Sequence, residues 1–190
     1  MEEKEIVLME EREIILKAKK DPQAFDYLYE KYFLQIFRYV MKRLGNRENA
    51  EEIVSNVFYK ALNKLYLFKW QSVPFSSWLY RIAINELNNF YRVRSRGYKL
   101  TQKVKLENQI PEKENNNMSY KFIHKYIKQL PQKDQDLISL RYFEKMEYSQ
   151  ISEIFKKKES TLRVKLHRAL KKLENKIPQE VLDDVYQKVS

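Results

Sequence analysis

The chain has 190 residues, of which 43% are hydrophobic and 14% aromatic, with two glycines, five prolines and no cysteine. This supplies enough apolar material for one or two small cores, and the lack of thiols excludes disulfides, thiol catalysis and cysteine-ligated zinc. Its 37 Lys and Arg against 26 Asp and Glu leave a net charge of +11, which favours a polyanionic partner.

No run of about 18 apolar residues suggests a membrane span, and the opening MEEKEIVLMEE is acidic rather than signal-like. A soluble, cytoplasmic protein without membrane insertion is expected. Few turn-formers and long periodic segments predict an all-α fold: two small helical domains joined by a flexible linker. The first domain is placed at 6–96, the linker at 97–119, the second domain at 120–177 and an acidic tail at 178–190.

In chain order, a helix is expected over Glu13–Lys20, and Asp21-Pro22 marks a new start, with Asp as N-cap and Pro in the first turn. Phe25, Leu28, Tyr32, Ile36, Tyr39 and Val40 recur at helical spacing until Gly45, a C-terminal stop. Asn46 or Asn49 opens the next helix, whose buried stripe is Ala50, Ile53, Val54, Val57, Phe58, Ala61, Leu62 and Leu65. After an interruption at Lys69–Pro74, a helix from about Ser76 buries Leu79, Ile82, Ala83, Leu87 and Phe90. Its polar face carries Arg81, Asn85, Asn88, Arg92 and Arg96, just after the aromatics Tyr66, Phe68, Trp70 and Phe75. Cations that track a backbone beside rings that stack on bases suit single-stranded DNA. The competing reading puts the rings in the core, and it is preferred for Phe75 and Trp78. Trp78 and Tyr80 suit either place.

Periodicity lapses over 97–119, where Asn115-Asn116-Asn117 sits among scattered charges, as in a linker. A second block follows, with Ile123, Tyr126, Ile127 and Leu130 on one helix and Pro131 opening the next. It holds fifteen Lys and Arg against seven Asp and Glu over 120–177, so most of the excess charge lies here. Within it, Tyr148 to Leu173 reads as two helices joined by a turn at Lys156–Lys158. Leu162, Leu166, Ala169, Leu170 and Leu173 face inward, and Thr161, Arg163, Val164, His167, Arg168 and Lys171 face outward. Such a face suits a major groove, with cations on phosphates, guanidinium on base edges and Val164 against a thymine methyl. An ordinary amphipathic helix with a solvated basic side is the alternative.

Four motifs in order, Asp21–Tyr32 (DPQAFDYLYEKY), Ala50–Tyr59 (AEEIVSNVFY), Phe75–Arg96 and Leu130–Leu173 (opening LPQKDQDLISLRYF), make the chain from Glu13 to Ile177 resemble an extracytoplasmic-function (ECF) sigma factor. The resemblance implies that the first block is sigma region two and the second is region four. Region two would dock on the clamp helices of the largest RNA polymerase subunit through Glu52, Ser55, Asn56 and Tyr59. It would capture the melted minus-ten strand, with Lys69, Trp70, Gln71, Ser72 and Val73 receiving a flipped base and Arg81, Asn85 and Arg92 on the adjoining DNA. Region four would rest on the polymerase flap and read the minus-thirty-five duplex. There Ser160, Arg163, Val164 and His167 would meet bases, Lys165, Arg168 and Lys171 would meet phosphates, and Thr161 would belong to the same surface.

The implied partners are core RNA polymerase, promoter DNA and, as for many members of the family, an anti-sigma factor. No cofactor or metal is implied, and the chain would not be an enzyme. Four features depart from the family pattern. Ser55-Asn56 replaces a Gln-Glu pair, and Lys156-Lys157 replaces a turn Gly with its following apolar residue, which demands an unusual backbone at a lysine. Lys158 replaces a capping Ser, leaving Ser160 or Thr161 as substitute. Ile84 and Asn89 stand where Arg and Asp are common.

A stand-alone DNA-binding regulator is the rival reading. An enzyme finds little support: the glycines Gly45 and Gly97 lie too far apart for a phosphate loop, and His124 and His167 lack an HExxH frame.

Overall fold

The computed structural model describes residues 2–70, 74–100 and 118–178, with side chains over 10–70, 74–95 and 123–178. Among them every regular element is helical: α1 (Glu2–Ala18), α2 (Phe25–Leu44), α3 (Arg47–Lys64), α4 (Phe75–Leu100), α5 (Met118–Ile127), α6 (Gln132–Ile138), α7 (Tyr148–Phe155) and α8 (Glu159–Glu174). The chain forms two compact helical units, one built on α1–α4 and the other on α5–α8.

Local chemistry sets the boundaries in the first unit. Asp21 has extended backbone and accepts a hydrogen bond from the Gln23 N–H, opening a short 3-10 turn at Pro22–Ala24 that leads into α2. Gly45 ends α2 with a positive φ of 71°, where a Cβ would clash, and its N–H donates to the Met41 carbonyl. Asn46 then caps α3 by accepting from the Asn49 N–H at 2.9 Å.

α2 packs on α1, α3 and α4, and α3 packs on α4. The predicted α2 stripe (Phe25, Leu28, Tyr32, Ile36, Tyr39, Val40) is buried throughout. So is the α3 stripe, apart from Leu62, which lies exposed. Each fully buried large apolar side chain contributes about 1.5–3 kcal/mol relative to exposure. On α4, Leu79, Ala83 and Leu87 are buried as expected, while Ile82 and Phe90 are only half-buried. Tyr80 and Ile84 take their places inside. A Tyr39–Tyr80 edge contact at 5.1 Å between ring centroids puts Tyr80 in the core.

Two helices run further than periodicity suggested. α1 starts well before Glu13, and α4 continues to Leu100, while α5 begins at Met118, so both ends of the 97–119 segment are helical. A lapse in apolar repeat removes the packing signal without removing helix propensity. Of the tail, only Pro178 lies among the described residues.

In the second unit the Gln135 side-chain amide donates to the carbonyls of Leu130 (2.7 Å) and Lys128 (3.1 Å), satisfying acceptors left open where α5 ends. α6 passes into a π-turn, Ser139–Phe143, closed by Glu144 N–H to Ser139 carbonyl at 3.0 Å. α6 packs on α8, and Lys172 of α8 pairs with Asp134 of α6 at 2.7 Å.

Candidate nucleic-acid and polymerase surfaces

The α7–turn–α8 segment is built around Lys156. It ends α7 in the left-handed region (φ 51°, ψ 50°) and donates its N–H to the Ser152 carbonyl. The unusual lysine backbone foreseen from the missing glycine is therefore present. The next turn of chain is held by Lys157 N–H to the Ser152 carbonyl (3.2 Å) and by the Ser152 hydroxyl donating to the Lys157 carbonyl (2.7 Å). Glu147 caps α7, and its N–H donates to the Gln150 side chain.

α8 begins at Glu159 with Lys158 in the cap position, and no side chain caps it. Ser160 and Thr161 lie within its first turn, so the expected substitute cap is not formed; a residue already helical cannot supply the non-helical backbone that an N-cap needs. Glu159 supplies negative charge to that turn instead.

Leu162, Leu166, Ala169 and Leu173 are buried, and Leu170 is half-buried. Ser160, Thr161, Arg163, Val164, Lys165, His167, Arg168 and Lys171 are all exposed. Val164, at 51% exposure, is an apolar side chain held out in the middle of a cationic face. Arg163 is already engaged: its guanidinium lies 4.1 Å from the Tyr148 ring centroid and 3.4 Å from Glu159 Oε2. Arg141 lies against the same ring at 5.1 Å and donates to the Met146 carbonyl at 2.8 Å. The outward helix face alone did not reveal Tyr148 and Arg141; the cue was Tyr148 opening α7 on the side toward α8.

In the first unit, α4 exposes Arg81, Asn85 and Arg92, with Asn88 half-buried. Their spacing sets them on one face. Arg92 donates to the Asn89 side chain at 2.8 Å, a contact that orients the guanidinium along the helix.

The aromatic segment before α4 divides. Phe68 and Phe75 are buried, with ring centroids 5.3 Å apart, and Trp78 packs on both at 5.2 and 5.4 Å. These two phenylalanines are core, and their rings are unavailable for stacking on bases. Tyr66, 71% exposed, and half-buried Trp70 remain at the surface beside exposed Lys69. Gln71, Ser72 and Val73 lie outside the described residues.

On α3, Glu52, Ser55, Asn56 and Tyr59 are all exposed on the side opposite the buried stripe. Tyr59 is 67% exposed, and Leu62, Tyr66 and Leu67 extend the apolar surface beyond it. Lys60 of α3 pairs with Glu86 of α4 at 2.6 Å, linking the two helices that carry these faces. Among the described residues no cluster of His, Cys, Asp and Glu could hold a metal ion, and no helix is long and apolar enough to cross a membrane.

Two residues that sequence reasoning passed over also bear on this region. Glu11 of α1 is 2% exposed and accepts from the Phe75 backbone N–H at 2.9 Å, from the Tyr32 hydroxyl and from Lys31 at 3.2 Å. Lys19 donates to the Phe68 carbonyl at 2.6 Å. Burial, with the Glu11 charge added, pushes the Tyr32 phenol pKa above the ordinary tyrosine value.

Two helical units, one ending in a helix-turn-helix with a basic outer face, define a helical protein of the DNA-binding kind. The family comparison is more specific. The Sigma-70 region 2 model matches residues 28–97, and the Sigma-70, region 4 model matches residues 123–173. The chain is 29% identical over 157 residues to the RNA polymerase sigma factor YlaC of Bacillus subtilis, covering 79% of this chain and 90% of that one. It is 22% identical over 174 residues to the ECF RNA polymerase sigma factor BldN of Streptomyces coelicolor, covering 88% of this chain and 66% of BldN. Its fold is similar to the sigma factor RpoE of Bartonella quintana, solved with the anti-sigma factor NepR, with a TM-score of 0.68, 19% identity and coverage of 80% and 95%.

The chain belongs to the sigma-70 family and is an ECF sigma factor. Its general role is the family's, polymerase binding and promoter recognition, and it is not itself an enzyme.

Proposed function

We propose that the chain directs promoter-specific initiation by dividing the work between its two blocks. Residues 6–96 would bind core polymerase through Glu52, Ser55, Asn56 and Tyr59 of α3. They would capture the melted minus-ten strand with Lys69–Val73 and with Arg81, Asn85 and Arg92 of α4. Residues 120–177 would read the minus-thirty-five duplex with α8, and 97–119 would link the two.

The observation that carries this reading is the α8 surface. Four buried apolar residues turn inward, while Ser160, Arg163, Val164 and His167 turn outward among Lys165, Arg168 and Lys171. A helix presenting short polar groups, a guanidinium and one exposed β-branched residue amid cations suits duplex reading with phosphate anchoring. Exposed Arg81, Asn85 and Arg92, in line on α4, support strand capture, as does the surface position of Trp70.

The RpoE relative was solved with an anti-sigma factor. By extension we take a protein of that kind to be a partner here. A partner of bacterial RNA polymerase works in the cytoplasm.

Run-off transcription with core polymerase over a genomic promoter library tests the proposal. The purified chain alone should bind promoter DNA weakly, and the holoenzyme should bind strongly and initiate at a defined set of sites. Tight footprinting of duplex DNA without core enzyme would instead support a stand-alone regulator.

A further inference from the structure

α1 and the residue that follows it belong to none of the surfaces assigned above, yet they hold both Phe68 and Phe75, which flank Lys69 and Trp70 in sequence. At one end, Lys19 Nζ donates to the Phe68 carbonyl at 2.6 Å. At the other, Glu11 Oε2 accepts from the Phe75 N–H at 2.9 Å. Phe75 is the first residue of α4, where backbone N–H groups lack partners within the helix, so a carboxylate there stabilises the helix start. Glu11 lies within α1, and Lys19 directly follows its last residue, with its N–H still bonded to the Ile15 carbonyl at 3.0 Å.

The ends are also drawn together from inside. Phe68 and Phe75 meet edge to face at 5.3 Å, Tyr32 meets Phe75 at 5.9 Å, and Trp70 meets Phe68 at 6.5 Å. Glu11 joins this cluster through the Tyr32 hydroxyl and Lys31. A buried carboxylate that accepts from a backbone amide, a phenol and an ammonium is a costly feature to retain for simple bundle packing, for which an apolar side chain would serve. Lys19, in turn, is a long, flexible side chain directed at one backbone carbonyl.

We propose that Glu11 and Lys19 are positioning residues for strand capture. Through the Phe75 N–H and the Phe68 carbonyl they hold those two residues in place, and with Phe68 the Trp70 ring that packs on it, so that this ring is placed in advance for the unpaired base. This inference rests on the proposed strand-capture role of that segment.

The test uses holoenzyme assembled from core polymerase and the full chain. The probe is a fluorescein-labelled single strand carrying the non-template sequence of a promoter obtained from the run-off screen. Lys19→Met should weaken binding of that strand about five- to tenfold, the scale of one charge-assisted hydrogen bond. Affinity for core polymerase and for a duplex containing only the upstream element should remain at wild-type values. Lys19→Arg, which keeps a donor for the Phe68 carbonyl, should recover most of the loss. Glu11→Gln, which keeps an acceptor for the Phe75 N–H, should be milder than Glu11→Ala.

Trp70→Ala serves as the control on the underlying reading. If Trp70→Ala weakens strand binding and Lys19→Met does not, the positioning role is overturned and strand capture stands. If neither has an effect, both fall. Equal losses of core and strand affinity in Lys19→Met would show a merely structural part for Lys19 and would likewise overturn the inference.

Discussion

The guanidinium of Arg163 rests 4.1 Å from the ring centroid of Tyr148, which places the outward arginine of α8 under the control of the first residue of α7. A cation on an aromatic face is worth about 0.5–1 kcal/mol at an exposed site, enough to favour one rotamer without locking it. In the proposed reading Arg163 meets a base edge, so Arg163→Ala should relax preference at one position of the upstream element by about 1–3 kcal/mol. Tyr148→Leu should retain the preference with lower affinity, because the arginine must then be ordered on binding. Holoenzyme titrations against single-base variants of a promoter duplex distinguish the two outcomes.

Lys171 lies further along the same exposed face. Its expected partner is phosphate, so Lys171→Ala should weaken all promoter sequences alike and reduce the log K against log salt slope by about one. A sequence-selective effect of Lys171→Ala would reverse the assumed orientation of α8.

The inward and outward faces of α8 should respond oppositely to truncation. Leu162 is 1% exposed, and Leu162→Ala should cost about 2–5 kcal/mol of stability. Val164→Ala, on the exposed face, should stay within about 0.5 kcal/mol. Urea unfolding followed by circular dichroism measures both, and Val164→Ala can then be examined for DNA preference without a folding defect.

Tyr59 stands well out from α3, so its removal should not disturb the core. Tyr59→Ala should leave the melting temperature within a degree or two, as for other surface changes, and weaken association with core polymerase by about 1–2 kcal/mol, the scale of an aromatic interface residue. Unchanged affinity would move the polymerase contact to a different face.

Lys156 occupies the left-handed region at φ 51°, where a Cβ is unfavourable. Lys156→Gly should therefore stabilise the second unit by about 0.5–1 kcal/mol, read as an upward shift in its unfolding midpoint. A loss of stability would show that the lysine side chain makes contacts that outweigh its backbone cost.

Much of this was legible in the residues because the elements are amphipathic helices with local end signals. Asp21, Gly45 and Asn46 act where their chemistry predicts, and the α2 stripe and, apart from half-buried Leu170, the α8 stripe are buried as their spacing requires. The misses have identifiable physical causes. Phe75 is in the core as expected, but Phe68 reads in sequence as one of the rings open to stacking, and one-dimensional order cannot reveal that it meets Phe75 edge to face. Ile84 and Tyr80 lie inside because α4 is covered from two sides, by α2 and α3, which widens its buried arc. Glu11 was invisible for the opposite reason: a carboxylate in an acidic opening reads as solvated, and its partners Tyr32 and Phe75 are 21 and 64 residues away.

Lys145 and Lys156 stand just outside the two ends of α7, and both have positive φ. A chain with only two glycines has placed neither of them at these corners. The module therefore retains unused thermodynamic headroom at its borders, and in exchange each corner carries a positive charge. An engineer seeking a hardier version of the protein has two backbone positions to relax before touching any residue of the core.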